Sequence, residues 1–404
     1  VARVLDGQVV HRWLVCAVDA LAQARPRIDA VNVFPVADQD TGTNCLLTLR
    51  GATAELAALD PAAETSTVLG AAARGALLAA RGNSGIILSH WLAGLVRGAD
   101  AGLAGALSAA ADSARSAVLD PQPGTVLDLA AEVARAADRT ERGGSDRAVL
   151  AAAIDAGLAA VDAISERHPV LRDARVLDAG ACALLVVLIA WAAATDEQSP
   201  PSGVDLSWLP ASPAVALPDR DETGFEVMAV LPAGDDDALR AALATVGEAV
   251  AVVSEPGEGA GRLRQSHVHA EDPAAALAVL RSVAGDTPVL VTVQALSGVT
   301  VPAVAITGTP ERVAELARAG AVVLVADAAP PPVWRTALER AVGDAGTGGA
   351  HRDDALSADL IAVLPGAWAD ACAAMPAGGT LIAEADDDDR VLAVLRSLTG
   401  GTEA

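Results

Sequence analysis

Two aspartates, Asp38 and Asp40, stand two residues apart in the stretch N-V-F-P-V-A-D-Q-D-T-G-T-N, residues 32–44. Pro35 disfavours helix upstream of them. Thr43 and Asn44 are helix-capping residue types, and the apolar run 45–49 follows at once. The pattern predicts two carboxylates on a fixed loop beside a helix N-terminus. Close carboxylates repel one another unless a cation lies between them, and Mg²⁺ prefers such oxygens. A helix N-terminus attracts phosphate through its unpaired N–H groups and its macrodipole. Together these features point to a metal–nucleotide site; the plain alternative for D-x-D-x-G alone is an Asx-rich surface turn.

Three further turns carry related signals. Arg81-Gly82-Asn83-Ser84-Gly85 runs into an apolar helix. Its glycines free the backbone, Asn83 and Ser84 can cap or bond phosphate oxygens, and Arg81 can neutralise phosphate charge. Pro121-Gln122-Pro123-Gly124-Thr125 starts another helix, and Asp178-Ala179-Gly180 places an acidic cap before a third. Each alone reads as ordinary capping. In an up-and-down bundle, however, alternate turns lie at one end, so these can converge on one site.

Composition narrows the chemistry. The 404 residues suffice for two or three domains, and the net charge of −24 argues against nucleic acid or an anionic membrane as partner. Every basic residue is Arg; Lys is absent, which excludes a Walker-type lysine or a Schiff base. Phosphate chemistry must then rest on metal, backbone N–H groups and Arg. Cys16, Cys45, Cys182 and Cys372 are widely spaced in apolar settings, as expected of buried thiols in a reducing cytoplasm. No signal peptide is expected from the first residues. The longest uncharged run, 179–195, is short for a membrane span and reads as a buried bundle helix.

The elements that must position these residues are helices at 5–24, 45–58, 68–78, 84–96, 103–118, 125–136, 148–166 and 179–194. That pattern predicts an all-α domain of eight helices over 1–196. A Pro- and Ser-rich stretch, 197–222, reads as an interdomain linker. Beyond it the order βαββαβ over 223–298 predicts a small α+β, ferredoxin-like domain. Alternating strands and helices from 299 to 404 predict an α/β domain with a parallel sheet. His267 and His269, two apart on a strand, share one side of it. With a third ligand they could hold Zn²⁺; otherwise they line a polar sheet face.

The motifs N-V-F-P-V-A-D-Q-D-T-G-T-N, A-R-G-N-S-G-I-I-L-S, P-G-T-V-L and L-D-A-G-A, in this order, resemble the nucleotide-binding domain of the DhaL superfamily. That superfamily includes the ADP-binding subunit of dihydroxyacetone kinase. The match is nearer to the FakA-type, YloV-like bacterial fatty acid kinases. The resemblance implies an eight-helix barrel holding ATP or ADP with Mg²⁺ at one end. It implies metal ligation by Asp38 and Asp40 and phosphate contacts at Thr41, Gly42, Thr43 and Asn44. It also places Asn83, Ser84, Gly124 and the turn from Asp178 to Gly180 beside the nucleotide, and Arg81, Gly82 and Thr125 in the same turns are read as further nucleotide contacts. The family usually has P-D-G-D where this chain has Ala37 and Gln39, and a third upstream aspartate is replaced by Asn32 and Val33. The middle region resembles the FakA middle domain, although a family cysteine upstream of Phe225 is missing. Segments 327–332 and 363–368 depart from the family's longer C-terminal region.

The resemblance implies a cytoplasmic kinase that phosphorylates a fatty acid carboxylate to an acyl phosphate, the lipid being carried by a separate FakB-like protein. No integral membrane segment is expected, and a second copy of the chain is a further candidate partner. The competing readings are a dihydroxyacetone-kinase-like phosphotransfer subunit and a nucleotide-binding scaffold without catalysis.

Overall fold

The computed structural model describes residues 4–34, 39–60, 63–141, 144–196, 204–210, 223–232, 234–255, 262–287, 289–296, 303–307, 309–325, 360–363 and 379–381. The chain forms two compact units, Val1–Arg220 with Val253–Glu258, and Asp221–Val252 with Gly259–Ala404.

The first unit is helical. Its long helices are α1 (Gly7–Ala30), α2 (Thr41–Leu56), α3 (Thr65–Ala79), α4 (Gly82–Gly98), α5 (Gly102–Ser116), α6 (Val126–Glu141), α7 (Asp146–Ser165) and α9 (Ala179–Ala194). A short helix, α8 (Pro169–Ala174), was not anticipated from the sequence. Each long helix packs on its chain neighbours, and α9 packs on both α7 and α1, so the eight close into a ring. Small residues let backbones approach: a Cβ on Gly75 would lie 2.3 Å from the Gly51 carbonyl oxygen, where α2 crosses α3. The interior centres on tryptophans. Trp13 stacks on Trp191 at 4.1 Å and meets Trp91 edge-on at 6.3 Å. The Trp13 and Trp191 indole N–H groups are satisfied by the Val187 and Val4 carbonyls, as burial requires. Truncating one such ring to alanine typically costs about 3–5 kcal/mol.

Two expectations about this unit change. The helix expected over 5–24 continues through Pro26 to Ala30. Proline loses one backbone bond but retains a helical φ, and packing on α2 and α9 holds the extra turn. The expected linker 197–222 is also partly built into the unit. Arg27 donates to the Pro210 and Leu206 carbonyls at 3.0 Å each, and Leu209 is buried in the helical core. The apolar run 179–195 is α9, buried along most of its length. Among the described residues one helix, α7, is long and apolar enough to cross a membrane, and it is a member of the ring.

The second unit is a mixed eight-stranded sheet in the order β2-β3-β1-β4-β6-β5-β7-β8. The strands are β1 (Phe225–Leu231), β2 (Glu248–Ser254), β3 (Arg264–Ala270), β4 (Leu290–Ala295), β5 (Ala303–Thr307), β6 (Val322–Val325), β7 (Leu360–Val363) and β8 (Gly379–Leu381). Helices α10 (Asp236–Leu243), α11 (Pro273–Ala284) and α12 (Pro310–Arg318) pack against it. β1 is antiparallel to β3 and β4, whereas β5 is parallel to β6 and β7. The boundary expected at 298/299 does not separate two sheets: β4 pairs antiparallel with β6, Val291 opposite Val325. Hydrogen bonding satisfies the edge that β4 would otherwise expose. Phe225, Val227, Ala229 and Leu231 lie on one face of β1 in a core with Leu239, Leu277 and Leu316. Alternation puts Glu226 and Met228 on the other. The helices expected after β6, β7 and β8, and the divergent segments 327–332 and 363–368, lie outside the described residues.

Candidate functional site at one pole of the helical ring

Four connections, α1/α2, α3/α4, α5/α6 and α7/α9, carry all the predicted nucleotide-site residues of the helical unit, and side-chain contacts join them at one pole. Thr41 Oγ1 lies 3.0 Å from Ser84 Oγ, tying the start of α2 to the start of α4. Asp178 Oδ2 accepts from the Ala181 N–H at 2.7 Å and the Val126 N–H at 2.9 Å, capping α9 and α6 together. Phe34, just before the aspartate loop, packs its ring 3.9 Å from His168. The His168 backbone in turn fills the space beside Gly124, where an added Cβ would lie 2.6 Å from the His168 nitrogen. Gly124 adopts φ +82°, which glycine tolerates without cost. Gly180 packs beside both Asp178 and Val126.

A carboxylate that the sequence reading missed organises α2. Asp29, in the extra turn of α1, accepts from the Gly42 N–H at 2.7 Å and the Thr43 N–H at 3.1 Å through Oδ1. Its Oδ2 accepts from the Thr43 hydroxyl at 2.9 Å. Gly42 and Thr43 therefore spend their donors on Asp29, and Asn44 N–H bonds the Asp40 carbonyl, rather than facing an incoming phosphate as expected. Asp40 is the N-cap of α2, yet its side chain makes no capping bond. Asp38 lies outside the described residues. Asn32, the alternative third ligand, is buried.

Arg81 also departs from expectation. It is buried, and its Nη1 donates to the Ala79 carbonyl at 2.9 Å, closing the C-terminus of α3. An arginine has no acceptor to offer as N-cap of α4, so the first turn of α4 is not capped by its own N-cap residue. Gly82 opens that turn at φ +52°. Among the described residues, Asn83 Oδ1 is buried without a hydrogen-bond partner. The ends of α2, α6 and α9 are closed by carboxylates, which leaves α4 as the end best suited to an anion. Thr125 is buried at the start of α6 and donates to the Gln122 carbonyl.

The electrostatics of the pole are acidic. Burial raises Asp29 to about 6, against the opposing pull of its bonds to Thr43 and Gly42, and Asp40 pushes it the same way. Burial also raises Asp178 to about 6 despite its two backbone donors. Burial drives the Cys45 thiol well up, and the charges of Asp29, Asp40 and Asp178 push it the same way. Asp128 accepts the Gly124 N–H and pairs with Arg115 at 2.9 Å and Arg167 at 3.7 Å. The Asp40 carboxylate and the orphaned amide oxygen of Asn83 are hard oxygens of the kind a divalent cation takes. Cys16, Cys45 and Cys182 are free and buried, as expected; Cys372 lies outside the described residues.

Gln39 adopts φ +57°, the left-handed region. A non-glycine residue there costs about 1 kcal/mol, which accounts physically for the glycine the related motif carries.

In the second unit, His267 and His269 do lie together, and a third group joins them. Glu226 sits opposite His269 in the β1/β3 register and opposite Gln294 in the β1/β4 register. One ligand atom each from Glu226, His267 and His269 falls within 4.8 Å of the others. His267 Nδ1 faces the Ala249 carbonyl and Nε2 faces Glu226 Oε1, both at 3.0 Å. The two ring nitrogens of His267 thus bridge the Ala249 backbone and the Glu226 carboxyl group. Burial, with His267, lowers His269 to about 4, keeping it neutral and able to ligate.

Among known proteins, residues 35–193 match the family described as the DAK2 domain. Among individual proteins, the chain is 30% identical over 294 residues to Protein YloV of Bacillus subtilis, covering 67% of this chain and 52% of that protein. An uncharacterised protein of Staphylococcus epidermidis is 29% identical over 192 residues, 45% of this chain and 34% of its own length. The chain thus spans about half or less of the curated relatives it matches. Dihydroxyacetone kinase from C. freundii, solved in complex with AMP-PNP and Mg²⁺, aligns at a TM-score of 0.36 and 18% identity over 48% of this chain and 34% of that one.

The raised carboxyls predict a pH dependence. Asp29 and Asp178 hold protons in the folded state up to about pH 6 but lose them near 4 when unfolded. The native state then binds more protons across that window, so stability falls as pH rises from 4 to 6. Asp29→Asn should show a shallower fall than the parent in denaturant midpoints measured across this range in metal-free buffer. An identical slope in the two proteins would contradict the assignment.

Proposed function

We propose that the pole of the helical ring binds ATP with Mg²⁺, and that the chain acts as the kinase subunit of a cytoplasmic phosphotransfer system. Its acceptor is a fatty acid carboxylate presented by a separate, FakB-like lipid-binding protein. The observation that carries the nucleotide reading is the meeting of Asp40, the Thr41–Ser84 hydroxyl pair and the uncapped start of α4. The DAK2 match over the same turns supports it. Asp38 and Asp40 would hold the metal, with Asp29 bracing the start of α2. Ser84, Asn83 and the first N–H groups of α4 would hold phosphate oxygens. Gly124, Thr125, Asp178 and Gly180 form the opposite wall. Magnesium, when bound, neutralises charge on the β- and γ-phosphates.

A carboxylate acceptor suits these residues. It is already anionic at neutral pH, so it needs positioning and charge neutralisation rather than a base. A hydroxyl acceptor, as in a dihydroxyacetone-kinase-like reaction, asks for proton removal as well. The strained Gln39 and the inward-turned Arg81 favour a second reading, a nucleotide-binding scaffold with little turnover.

Asp40→Ala should weaken Mg·ATP binding by about 100-fold or more in calorimetry, since even outer groups of a metal site typically matter 10–100-fold. The helical circular dichroism signal should stay unchanged. Parent-like affinity would remove this carboxylate from the site. In acceptor assays, acyl-phosphate formation from oleate with a lipid-carrying partner supports the carboxylate reading. Transfer to dihydroxyacetone supports the hydroxyl reading, and tight binding without transfer supports the scaffold.

We also propose that Glu226, His267 and His269 hold Zn²⁺, with Glu226 supplying the ligand that the missing cysteine would have given. The His267 Nδ1 bond to the Ala249 carbonyl orients that ring as ligating histidines commonly are. Metal analysis of the purified chain should find one zinc, lost in Glu226→Ala. Zinc-free protein that melts identically with and without added Zn²⁺ would leave the cluster as a hydrogen-bonded network alone.

A further inference from the structure

The pole has two electrostatically different halves, and one buried side chain in it is unexplained by capping or packing. His168 is 5% exposed, and among the described residues its Nδ1 has no hydrogen-bond partner. A buried ring nitrogen left unpaired carries a desolvation penalty. The surroundings hold the ring firmly: Phe34 packs on it, its backbone wedges against Gly124, and its N–H bonds the Ser165 carbonyl at 3.1 Å. Ser165 Oγ also receives the Asp178 N–H, so the segment is anchored to the α9 cap. Burial keeps the imidazole below the ordinary histidine range, hence neutral at pH 7.

This half cannot readily take phosphate. The Val126 and Ala181 N–H groups are spent on Asp178, and the Gly124 N–H is spent on Asp128. Asp178 repels an anion there, and Asp128 already holds the guanidinium groups of Arg115 and Arg167. What the half offers is an aromatic surface at Phe34 and one neutral hydrogen-bonding nitrogen. That combination matches an uncharged, planar or hydroxylated group. The phosphate-compatible features, Ser84 and the start of α4, belong to the other half.

We propose that His168 is the polar contact for the nucleoside of the bound nucleotide, its Nδ1 meeting the base or ribose while the phosphates extend toward α4. This rests on the nucleotide reading of the site. His168 is then a determinant of nucleoside recognition and does not touch the transferred group.

The test compares two probes, Mg·ATP and Mg·tripolyphosphate, by calorimetry on the full chain. His168→Phe keeps the aromatic packing and removes the nitrogen. It should weaken Mg·ATP about fivefold, the worth of one net hydrogen bond, and leave Mg·tripolyphosphate unchanged. His168→Asn, which restores a polar atom near the Nδ1 position, should recover part of the loss. Equal affinity of parent and His168→Phe for Mg·ATP would overturn the proposal, as would an equal loss for both probes, the mark of a merely structural role. A parent chain that binds neither probe would overturn the nucleotide reading itself, a result distinct from the failure of His168 alone.

Discussion

The arrangement depends on two carboxylates, half-buried Asp29 and buried Asp178, closing helix ends at one pole of a ring. Asp29 serves α2 from the tail of α1, and Asp178 serves α9 and α6 at once. Helix N-termini crowded into one place repel each other through their partial positive charges. Two anionic caps among them offset that repulsion and fix the turns relative to one another. The same caps make the pole acidic, which is why a divalent cation is the natural completion. Stability and function pull in different directions here: ionised Asp29 and Asp178 are held against their desolvation cost, and a cation near Asp40 would relieve it.

The capping pattern also sorts the pole into regions. Where carboxylates take the N–H groups, phosphate is excluded; where α4 begins behind an arginine with no acceptor, phosphate is favoured. Thr41 and Ser84 bridge toward that open end. A site of this kind needs no lysine, in keeping with a chain that has none. In the second unit a similar economy appears in the sheet. The Glu226 carboxyl group meets His267 on β3 and Gln294 on β4, so one side chain joins three strands.

Much of this was legible in the sequence, and the reasons for the rest are specific. The four turns announced themselves through Gly, Asn, Asp and Thr beside apolar runs, because capping chemistry is local. Asp29 did not, because the apolar spacing that marks α1 runs only to residue 24; only packing against neighbouring helices shows that the helix continues. Arg81 read as a phosphate ligand because composition cannot tell whether a guanidinium turns inward to the carbonyls of the preceding helix. Glu226 went unnoticed beside His267 and His269 because strand register is a long-range property. The boundary near 298 was misplaced for the same reason: β4 and β6 are far apart in sequence yet hydrogen-bonded. Residues 204–210 look like linker by composition, but Leu209 and the Arg27 bonds hold them to the helical unit.

The central claim is that acidic residues at this pole grip a divalent ion beside a phosphate chain. Anomalous scattering from crystals grown with Mn²⁺ and a non-hydrolysable ATP analogue would test it most directly. The account predicts a manganese peak bound by Asp40, with analogue phosphate at the start of α4 near Ser84. Ordered nucleotide elsewhere, or manganese bound only outside the ring, would contradict it.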